Sequence, residues 1–414
     1  MNTTPLNILF LANAFPPIYM GGEATQLFLL VSSLKERGHN PIVVHPVPFS
    51  GKGIMVTLET TPLCTVYKIF FPGQLIIPTL NLILEDLFHR IRTSQGNIHL
   101  VHCHSNKFCY SLQKIKDRFR VPIVSTIHAV DCALRLDVAL RKHELIPPSD
   151  LLLYRNEVAH TSKMCEYSNA VIAISKAMAS FISKYFCHDT NKIIYIPNGI
   201  PCKTIATLND PNKLRIPKTL YPNKDQITLI FAGRIEQSKG IRPLARAIKT
   251  LLANYQGFRF FFIGNGTEEH WLKTFLADSP RVAFINWIPF EQLLHYYHIA
   301  DIVVLPSFVE AFGLVALEAM ACNCAVLASN ADGLDELIEH RIDGLKVPLL
   351  VDKYGDRALS DHELYMALET LLTDSSLRES LSRAAKHKAE QFDIEYMVSR
   401  LETLYLNLAF GGIS

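Results

Sequence analysis

The chain has 414 residues, more than one domain usually holds, and this length predicts two domains of about 200 residues each. Its 41 Lys and Arg residues nearly balance its 39 Asp and Glu residues, which argues against nucleic acid as the main partner but leaves room for a local basic patch. Nine cysteines without regular spacing indicate reduced thiols of a cytosolic protein rather than a disulfide framework.

The N-terminal segment, MNTTPLNILFLANAF, has no basic region ahead of its apolar run, so no secretion signal is expected. No stretch reaches about 18 uninterrupted apolar residues, the length that spans a bilayer. We therefore expect a cytoplasmic protein, whose contact with the inner face of the membrane, if it has one, is peripheral.

The first half of the chain alternates short β-rich runs with amphipathic segments. The first run, NILFLAN, is followed by a predicted helix over 24–37 that ends at Gly38. The later strand-like runs are PIVVHP, HLVHCH, VPIVSTIH, AVIAIS and KIIYIPNG. Strands that alternate with helices in this way predict a parallel sheet with buried strands.

The alternation restarts at ITLIFAG, residues 227–233. Strand-like runs follow in FRFFFIGNG, RVAFINW, DIVVLPS, CAVLAS and GLKVPL, with helices predicted near 241–254, 268–277 and 290–298 and from about 313. The segment 197–225 between the two series is rich in Pro and Asn and poor in periodicity, which is typical of a linker or hinge.

This pattern predicts an α/β protein with two doubly wound Rossmann-like domains that face each other across a cleft. The first domain is expected over 1–200 and the second over 201–391. Three helical segments close the chain, over 361–373, 375–391 and 394–408. The last helix, within about 392–414, is expected to pack back on the first domain.

Glycines follow two of the predicted strands. Gly21 and Gly22 precede a helix start, where they either let backbone amides approach an anion or form a plain turn. Gly264 and Gly266 also follow a strand, but the third glycine of a dinucleotide-binding loop is absent, and two glutamates stand where a pyrophosphate would bind. The sequence therefore does not favour a nicotinamide or flavin site.

Two cations and two acids in the second half of the chain indicate a ligand site more specifically than these glycines do. Arg234 and Lys239 lie between a buried strand and a helix that begins near Ile241, which suits a diphosphate; a solvated charge pair is the alternative. Glu310 follows the strand DIVVLPS, and Glu318 lies eight residues later among apolar neighbours. A buried carboxylate needs donors, either the vicinal hydroxyls of a ribose or an arginine.

These residues carry a family resemblance. The stretches GRIEQSKG, EAFGLVALEAM, NAVIAIS and IPNGI and the N-terminal Gly-Gly loop, in this order and spacing, resemble the retaining GT-B glycosyltransferases related to glycogen synthase, which are the family 4-like transferases of group 1. The likeness spans nearly the whole chain. It implies a hexosyltransferase that moves a sugar from a nucleotide-diphosphate sugar to an acceptor hydroxyl with retention of configuration, in polysaccharide, glycan or glycolipid assembly.

The resemblance implies a catalytic role for four residues. Arg234 and Lys239 would contact the donor diphosphate, and Glu310 would contact the donor sugar. His128, at the end of VPIVSTIH, matches a family histidine that touches the donor sugar near the reaction centre, although a histidine at a strand end is more often a structural hydrogen-bonding group.

The donor-binding set implied by the resemblance includes residues of both domains. Gly22 would face the diphosphate from the first domain, and Glu318 would hold the nucleotide ribose. The members of the set lie in strand-end loops or near helix starts: Gly21, Gly22, Arg234, Lys239, Gly264, Glu310, Phe312, Gly313, Leu314 and Glu318.

Two departures from the family pattern are present. The chain has Asn323-Cys324-Ala325 where the family often has Gly-x-Pro, and asparagine tolerates the left-handed backbone that glycine would adopt. It has Asp332-Gly333 where the family has Gly-Gly, which leaves the sugar and acceptor rim of the site open to question.

No metal site and no cofactor are expected. His102 and His104 share a strand face in VHCHSNKFC, but their spacing with Cys103 and Cys109 fits no familiar zinc site. The sequence also lacks the D-x-D motif of metal-dependent sugar transferases, so cationic side chains would take the place of a metal. The nucleotide sugar is a co-substrate, with a UDP-sugar as the default.

The acceptor is expected on the N-terminal half and can be a glycan, a lipid-linked sugar or a small molecule. Segments 68–92 and 114–120 combine apolar and basic residues, which fits either docking on an anionic membrane or an ordinary core strand and helix. The run 131–162 after His128 forms either an acceptor lid or a plain helical insertion. Two further functions remain open: a nucleotide-sugar hydrolase or epimerase on the same fold, and an inactive nucleotide-sugar-binding paralogue.

Overall fold

The computed structural model describes residues 4–16, 21–72, 77–129, 131–207, 226–277 and 279–411. The chain divides into two compact units, one formed by Met1–Gly199 with Ile394–Ser414 and the other by Ile200–Asp393. Each unit has its own largely parallel sheet covered by helices, so the predicted fold class of two Rossmann-like α/β domains is confirmed. Most of the predicted linker lies outside the described residues.

The first unit contains an eight-stranded sheet with the order β3-β4-β2-β1-β5-β6-β7-β8. Its neighbouring strands are parallel except for the antiparallel pair of β3 and β4, a hairpin that the sequence does not single out. The strands are β1 (Asn7–Leu11), β2 (Asn40–Phe49), β3 (Met55–Thr60), β4 (Thr65–Pro72), β5 (Leu100–Cys103), β6 (Ile123–Ile127), β7 (Ala170–Ala173) and β8 (Ile193–Tyr195).

Six helices connect these strands. They are α1 (Gly22–Glu36), α2 (Ile77–Gln95), α3 (Cys109–Phe119), α4 (Asp131–Lys142), α5 (Pro148–Tyr167) and α6 (Lys176–Tyr185). The described part of 68–92 forms the end of β4 and helix α2, which buries Leu84, Phe88 and Ile91. This segment therefore contributes an ordinary strand and core helix, while the run 131–162 forms α4 and most of α5, two helices that pack on each other.

The second unit contains a six-stranded parallel sheet with the order β11-β10-β9-β12-β13-β14 and a separate antiparallel hairpin, β15-β16. The strands are β9 (Ile227–Ala232), β10 (Phe258–Ile263), β11 (Val282–Ile285), β12 (Ile302–Leu305), β13 (Ala325–Ser329), β14 (Leu345–Val347), β15 (Leu349–Val351) and β16 (Arg357–Leu359). The helices are α7 (Cys202–Thr207), α8 (Ile241–Asn254), α9 (Glu269–Phe275), α10 (Phe290–His298), α11 (Leu314–Ala321), α12 (Asp332–Leu337), α13 (Asp361–Thr373) and α14 (Ser375–Ala389).

The last helix, α15 (Ile394–Phe410), belongs to the first unit, where it packs against α1 and β5. Glu402 of α15 accepts one hydrogen bond from Arg37 at 2.6 Å and is 2.8 Å from the His39 ring. Tyr405 of the same helix is fully buried in the core. The C-terminal helix is thus fastened to this unit by both apolar packing and charged contacts.

Strand order determines where each sheet offers a ligand site. In the second unit, β10 and β11 lie on one side of β9, and β12, β13 and β14 lie on the other. The strand order therefore reverses between β9 and β12, and loops that leave the carboxyl ends of these strands diverge and open a crevice. In the first unit the corresponding reversal lies between β1 and β5.

Helix α8 shows how the apolar pattern builds the core of the second unit. It buries Ile241, Leu244, Ile248 and Leu251, whose spacing places them on one helical face. This face covers a sheet whose strand β10, FRFFFI, is almost entirely buried. Within the described ranges, no helix combines the length and the apolar character needed to cross a bilayer.

Candidate functional site

The carboxyl ends of β9 and β12 meet at the reversal point of the second sheet, and Lys239 and Glu310 lie in the loops that follow them. Gly240 makes this approach of the loops possible, because it has φ 68 and a Cβ atom there would overlap the carbonyl oxygen of Pro306. The backbone N–H of Phe308 donates to the carbonyl of Ser238 at 2.8 Å, which ties the two loops together.

Lys239 and Glu310 form an ion pair with 2.6 Å between Nζ and Oε2, and each side chain is about one-fifth exposed. The Ser307 hydroxyl donates to the same carboxylate oxygen at 3.2 Å. A cation and an acceptor side by side match a ligand that carries phosphate next to sugar hydroxyls. The sequence does not single out Ser307, although its position directly after a strand is a usable signal.

Arg234 lies in the same loop as Lys239, but it contacts a different partner. Its Nη1 atom is 2.8 Å from a carboxylate oxygen of Glu236, and its side chain is 59% exposed. The structure therefore brings Lys239 into direct contact with Glu310. Arg234 remains an exposed cation in the same loop.

Gly264 follows β10 in the loop next to Gly233. It has φ 138, and a Cβ atom on it would overlap the carbonyl oxygen of Gly233, so only glycine lets these two loops lie so close together. Its N–H donates to the carbonyl of Ile285 at 2.9 Å. The amide of Gly264 is therefore engaged within the sheet, and the residue contributes through loop packing.

Gly313 is the N-cap of α11, with φ 99, and no side chain caps this helix start. Leu314 is the first helical residue, and the buried Phe312 packs its ring edge-on against Phe392 at 6.0 Å between centroids. The first backbone N–H groups of α11 are accordingly placed to meet an anion. The predicted start of this helix near 313 is confirmed.

Glu318 lies on α11 among residues that are almost all buried, and only 6% of its own surface is exposed. Burial raises the pKa of its carboxyl group from the usual 4.5 to about 8. The nearby Tyr297 hydroxyl lowers this pKa, but by less than burial raises it. This hydroxyl has no hydrogen-bond partner of normal geometry among the described residues. A buried carboxyl group with spare acceptor capacity is a suitable partner for ligand hydroxyls.

The candidate residues of the first unit form a separate group. Gly21 and Gly22 are exposed at the start of α1, where Gly21 has φ 85. Glu23 in the first turn accepts a hydrogen bond from the Asn13 side chain at 3.0 Å. The start of α1 thus exposes the backbone of two glycines next to Glu23, whose carboxylate is held by Asn13.

His128 directly follows β6, and its Nε2 atom is 2.9 Å from Nδ1 of His104, which follows β5. The two rings stack with an interplanar angle of 20°. His102 lies next to His104, with 4.1 Å between ring centroids, and contacts Tyr405 and Thr126 at 2.6 and 2.8 Å. The sequence shows the alternation of His102 and His104 but not their contacts with His128 and Tyr405, because these partners are distant in the chain.

Burial keeps these three rings neutral. It lowers the pKa of His102 to about 3, lowers the pKa of His104 well below the usual 6.5, and also lowers the pKa of His128. Neutral imidazoles can accept as well as donate hydrogen bonds, which suits contacts with sugar hydroxyls. Over the described ranges, no group of three or more His, Cys, Asp or Glu side chains is arranged to hold a metal ion.

Family models match both halves of the chain. Residues 20–204 match the model described as Glycosyltransferase Family 4, and residues 212–388 match the model described as Glycosyl transferases group 1. A D-inositol 3-phosphate glycosyltransferase of Pseudarthrobacter chlorophenolicus is 27% identical over 89% of this chain and 82% of its own length. An uncharacterized glycosyltransferase of Methanocaldococcus jannaschii is 29% identical over 63% of this chain and 66% of its own length.

Solved structures show the same fold. Sucrose-phosphate synthase from Thermosynechococcus elongatus has a TM-score of 0.76 at 20% identity, covering 97% of this chain and 99% of its own. Anabaena Alr3699/HepE, solved in complex with UDP-glucose, has a TM-score of 0.67 at 18% identity, covering 96% of this chain and 99% of its own. On the two family models, which together match most of the chain, and on these relatives and the GT-B architecture, the chain belongs to the group 1 glycosyltransferases of the family 4 type, transferases that use nucleotide sugars.

Proposed function

We propose that this glycosyltransferase moves a hexosyl group from a nucleotide-diphosphate sugar to an acceptor hydroxyl with retention of anomeric configuration and without a metal ion. The observation that carries the proposal is the Lys239–Glu310 pair at the reversal point of the second sheet. A cation for phosphate and an acceptor for sugar hydroxyls stand 2.6 Å apart there, as the junction between diphosphate and sugar requires.

The reaction breaks the anomeric C–O bond through an oxocarbenium-like state, and negative charge develops on the departing diphosphate. Lys239, together with the exposed Arg234 of the same loop, would stabilise this negative charge as it develops. The uncapped start of α11, at Gly313 and Leu314, would add backbone N–H groups. Fixed cations and amides of this kind would supply the stabilisation otherwise given by a metal ion.

Retention follows in this proposal from attack by the acceptor on the face that the diphosphate leaves, with a departing phosphate oxygen taking the acceptor proton. No protein nucleophile is then needed. His128 would contact the donor sugar through a neutral ring, and Glu310 would accept from the sugar hydroxyls. Glu318 would hold the ribose hydroxyls at the other end of the donor.

A UDP-sugar is the donor we propose to test first, because the related Anabaena protein is solved in complex with UDP-glucose. The acceptor is proposed to be a sugar, polyol or glycolipid hydroxyl, as the D-inositol 3-phosphate glycosyltransferase of Pseudarthrobacter chlorophenolicus illustrates for a polyol phosphate. We place the reaction in polysaccharide or glycolipid assembly in the cytoplasm. Exposed basic residues on α2 and α3, including Arg90 and Arg118, would support peripheral docking on anionic lipid.

A thermal-shift screen with UDP-, GDP- and ADP-sugars tests the donor class, because a ligand at 100 times its Kd adds about 2.7 kcal/mol to the free energy of unfolding. The selected donor is then incubated with candidate acceptors, and the anomeric configuration of the product is read by NMR in the presence of EDTA. Retained configuration with undiminished rate supports the proposal. Inversion, loss of rate on chelation, or release of free sugar at the full rate without acceptor contradicts it.

A further inference from the structure

A buried ion pair joins three segments of the chain around Glu310. Arg357, the first residue of β16, donates from Nη1 and Nη2 to the two carboxylate oxygens of Asp332 at 2.8 and 2.9 Å. The same Nη1 group donates to the carbonyl oxygen of Phe308 at 2.8 Å. The Arg357 and Asp332 side chains are only 18% and 7% exposed, so the bidentate pair is largely removed from water.

The start of α12, at Asp332 and Gly333, also holds the backbone of Glu310 on both sides. Oδ2 of Asp332 accepts the N–H of Glu310 at 3.2 Å. The N–H of Gly333 donates to the carbonyl oxygen of Glu310 at 2.9 Å. Both polar backbone groups of Glu310 are therefore bonded to the first two residues of α12, while its carboxylate is held by Lys239 and Ser307.

Asp332 adopts φ 38, a left-handed conformation that favours glycine. An aspartate at such a position costs backbone free energy, which its hydrogen bonds to Arg357 and Glu310 offset. Asp332 engages Arg357 through both carboxylate oxygens, a bidentate contact that an uncharged side chain cannot reproduce.

We propose that Asp332, held by Arg357, is a positioning residue that fixes the Glu310 carboxylate against the donor sugar. This inference rests on the proposed function, because it takes Glu310 as the group that contacts the sugar. Because Asp332 and Arg357 act through Glu310, the pair is expected to govern the contribution of the sugar, rather than that of the nucleotide, to binding and turnover. A displacement of a reacting group by about 1 Å can cost about 100-fold in rate, so a backbone clamp on Glu310 has a measurable consequence.

Two variants separate positioning from simple folding. Asp332→Gly is conformationally suited to φ 38 and removes the clamp, but it leaves Arg357 without its carboxylate. The double variant Asp332→Gly/Arg357→Met removes both charges, and replacing both partners of a buried pair preserves stability far better than removing one. Arg246→Gln is the matched control, since it breaks the exposed Arg246–Asp361 pair of the same unit.

The probes are UDP and UDP-glucose, or the matching GDP or ADP pair if the thermal-shift screen selects that base. We expect both Asp332 variants to bind UDP within about threefold of the original chain and UDP-glucose at least about tenfold more weakly, with slower release of UDP from UDP-glucose. Arg246→Gln should change neither affinity. In a Glu310→Gln background, Asp332→Gly should add no further loss, because it acts through Glu310.

Three results overturn the inference: unchanged UDP-glucose affinity in the variants, equal weakening of UDP and UDP-glucose, or a full additive loss on top of Glu310→Gln. The second result identifies a merely structural pair. If Asp332→Gly fails to fold, the double variant carries the test by itself. Failure of the proposed function is distinguishable, because it appears in the unmodified chain, as no binding of sugar nucleotides, an inverted product, loss of rate on chelation or release of free sugar at the full rate without acceptor.

Discussion

Nζ of Lys239 lies 2.6 Å from Oε2 of Glu310, although the two residues are 71 positions apart in the chain. Each side chain of the pair is about one-fifth exposed, so each charge is stabilised by water as well as by its partner. A donor diphosphate arriving at this loop offers Lys239 a second anion, and its sugar offers Glu310 hydroxyl donors. The ion pair therefore orders both side chains before the donor binds.

Lys239→Ala is expected to lower turnover by about 100-fold or more, because one preorganised cation at developing charge supplies stabilisation of that size. Donor affinity should fall less than turnover, since the charge on the diphosphate is largest in the transition state. Steady-state rates with the donor selected in the screen check this expectation. A reduced affinity with unchanged turnover would assign Lys239 to ground-state binding only.

Lys273→Ala is the matched control for that measurement. Lys273 forms an exposed pair with Glu269 on α9, with 2.6 Å between Nζ and Oε1. The Lys273→Ala variant therefore removes an ion pair that lies outside the candidate site. Exposed pairs of this kind contribute about 0 to 1 kcal/mol. Equal losses of activity in the two variants would contradict a specific role for Lys239.

Nucleotide affinity is expected to rise with pH up to about 8, the pKa to which burial raises the Glu318 carboxyl group. Ribose hydroxyls donate to the carboxylate form, so binding should release a proton, and Kd should fall by up to about tenfold per pH unit below 8. Titration calorimetry in buffers of different ionisation enthalpy measures that proton. Glu318→Gln should remove the pH dependence, and Glu318→Ala should weaken binding at every pH. Affinity that falls as pH rises would exclude ribose recognition by the carboxylate.

The free energy of unfolding is expected to reach a maximum between pH 6.5 and about 8, the pKa of the buried Glu318 carboxyl group. The pKa of Glu318 is raised from 4.5 to about 8, so the folded chain binds more protons in that window and loses about 1.4 kcal/mol per pH unit as pH rises through it. Burial lowers the pKa of His45 and His102 from 6.5 to about 4 and about 3, so the unfolded chain binds more protons there and stability falls as pH decreases. Burial lowers the pKa of His104 and His128 as well, so below pH 6.5 the histidines together outweigh the single carboxyl group.

Denaturant unfolding from pH 4 to 9 measures this profile. Glu318→Gln should flatten the decline on the alkaline side of this maximum, because the amide does not titrate. Glu379→Gln, at a side chain 68% exposed on α14, should leave the profile as it is. A decline that persists unchanged in Glu318→Gln would mean that another group is responsible for it.

Local signals allow many helices to be predicted from the sequence. Helix α13 occupies the predicted 361–373 because Ser360 caps it by accepting the N–H of Glu363, and Gly313 ends the turn before α11 as its position indicates. The hairpin of β3 and β4 is harder to predict, because β3 is exposed on nearly every residue and has no buried face to produce a clear alternation.

The candidate site can be predicted only in part from the sequence, because some of its contacts depend on how distant segments pack. Lys239 and Glu310 are predictable as neighbours, because alternating strands and helices place the ends of β9 and β12 side by side. The pairing of Asp332 with Arg357 depends on where a short antiparallel hairpin returns, and no periodicity in the sequence encodes that. Burial of Glu318 is expected from its apolar neighbours, whereas the approach of Tyr297 from α10 depends on helix packing.

The hydrogen-bonded pair of His104 and His128 is expected to hold one defined tautomer. Nε2 of His104 is buried with no hydrogen-bond partner among the described residues, as is Oε1 of Gln26, and both residues line a cavity of about 20 Å³ that has room for one water molecule. Gln26 Oε1 can only accept, so a water in this cavity would donate to it, and we expect the same water to accept from Nε2–H of His104. Nδ1 of His104 then accepts from Nε2–H of His128 at 2.9 Å, which leaves Nδ1 of His128 as an acceptor for a ligand hydroxyl.

Nitrogen-15 NMR of histidine-labelled protein at pH 7 tests this chain of contacts, since burial lowers the pKa of both rings and keeps them neutral there. We expect the Nε2–H tautomer for both His104 and His128, with signals assigned from His104→Phe and His128→Phe variants. Gln26→Leu should disturb the His104 signal without unfolding the chain, because it removes the second anchor of the water. An Nδ1–H tautomer of His128 would reverse the direction of the hydrogen bond and present a donor to the ligand instead, because Nε2 of His128 would then accept from His104.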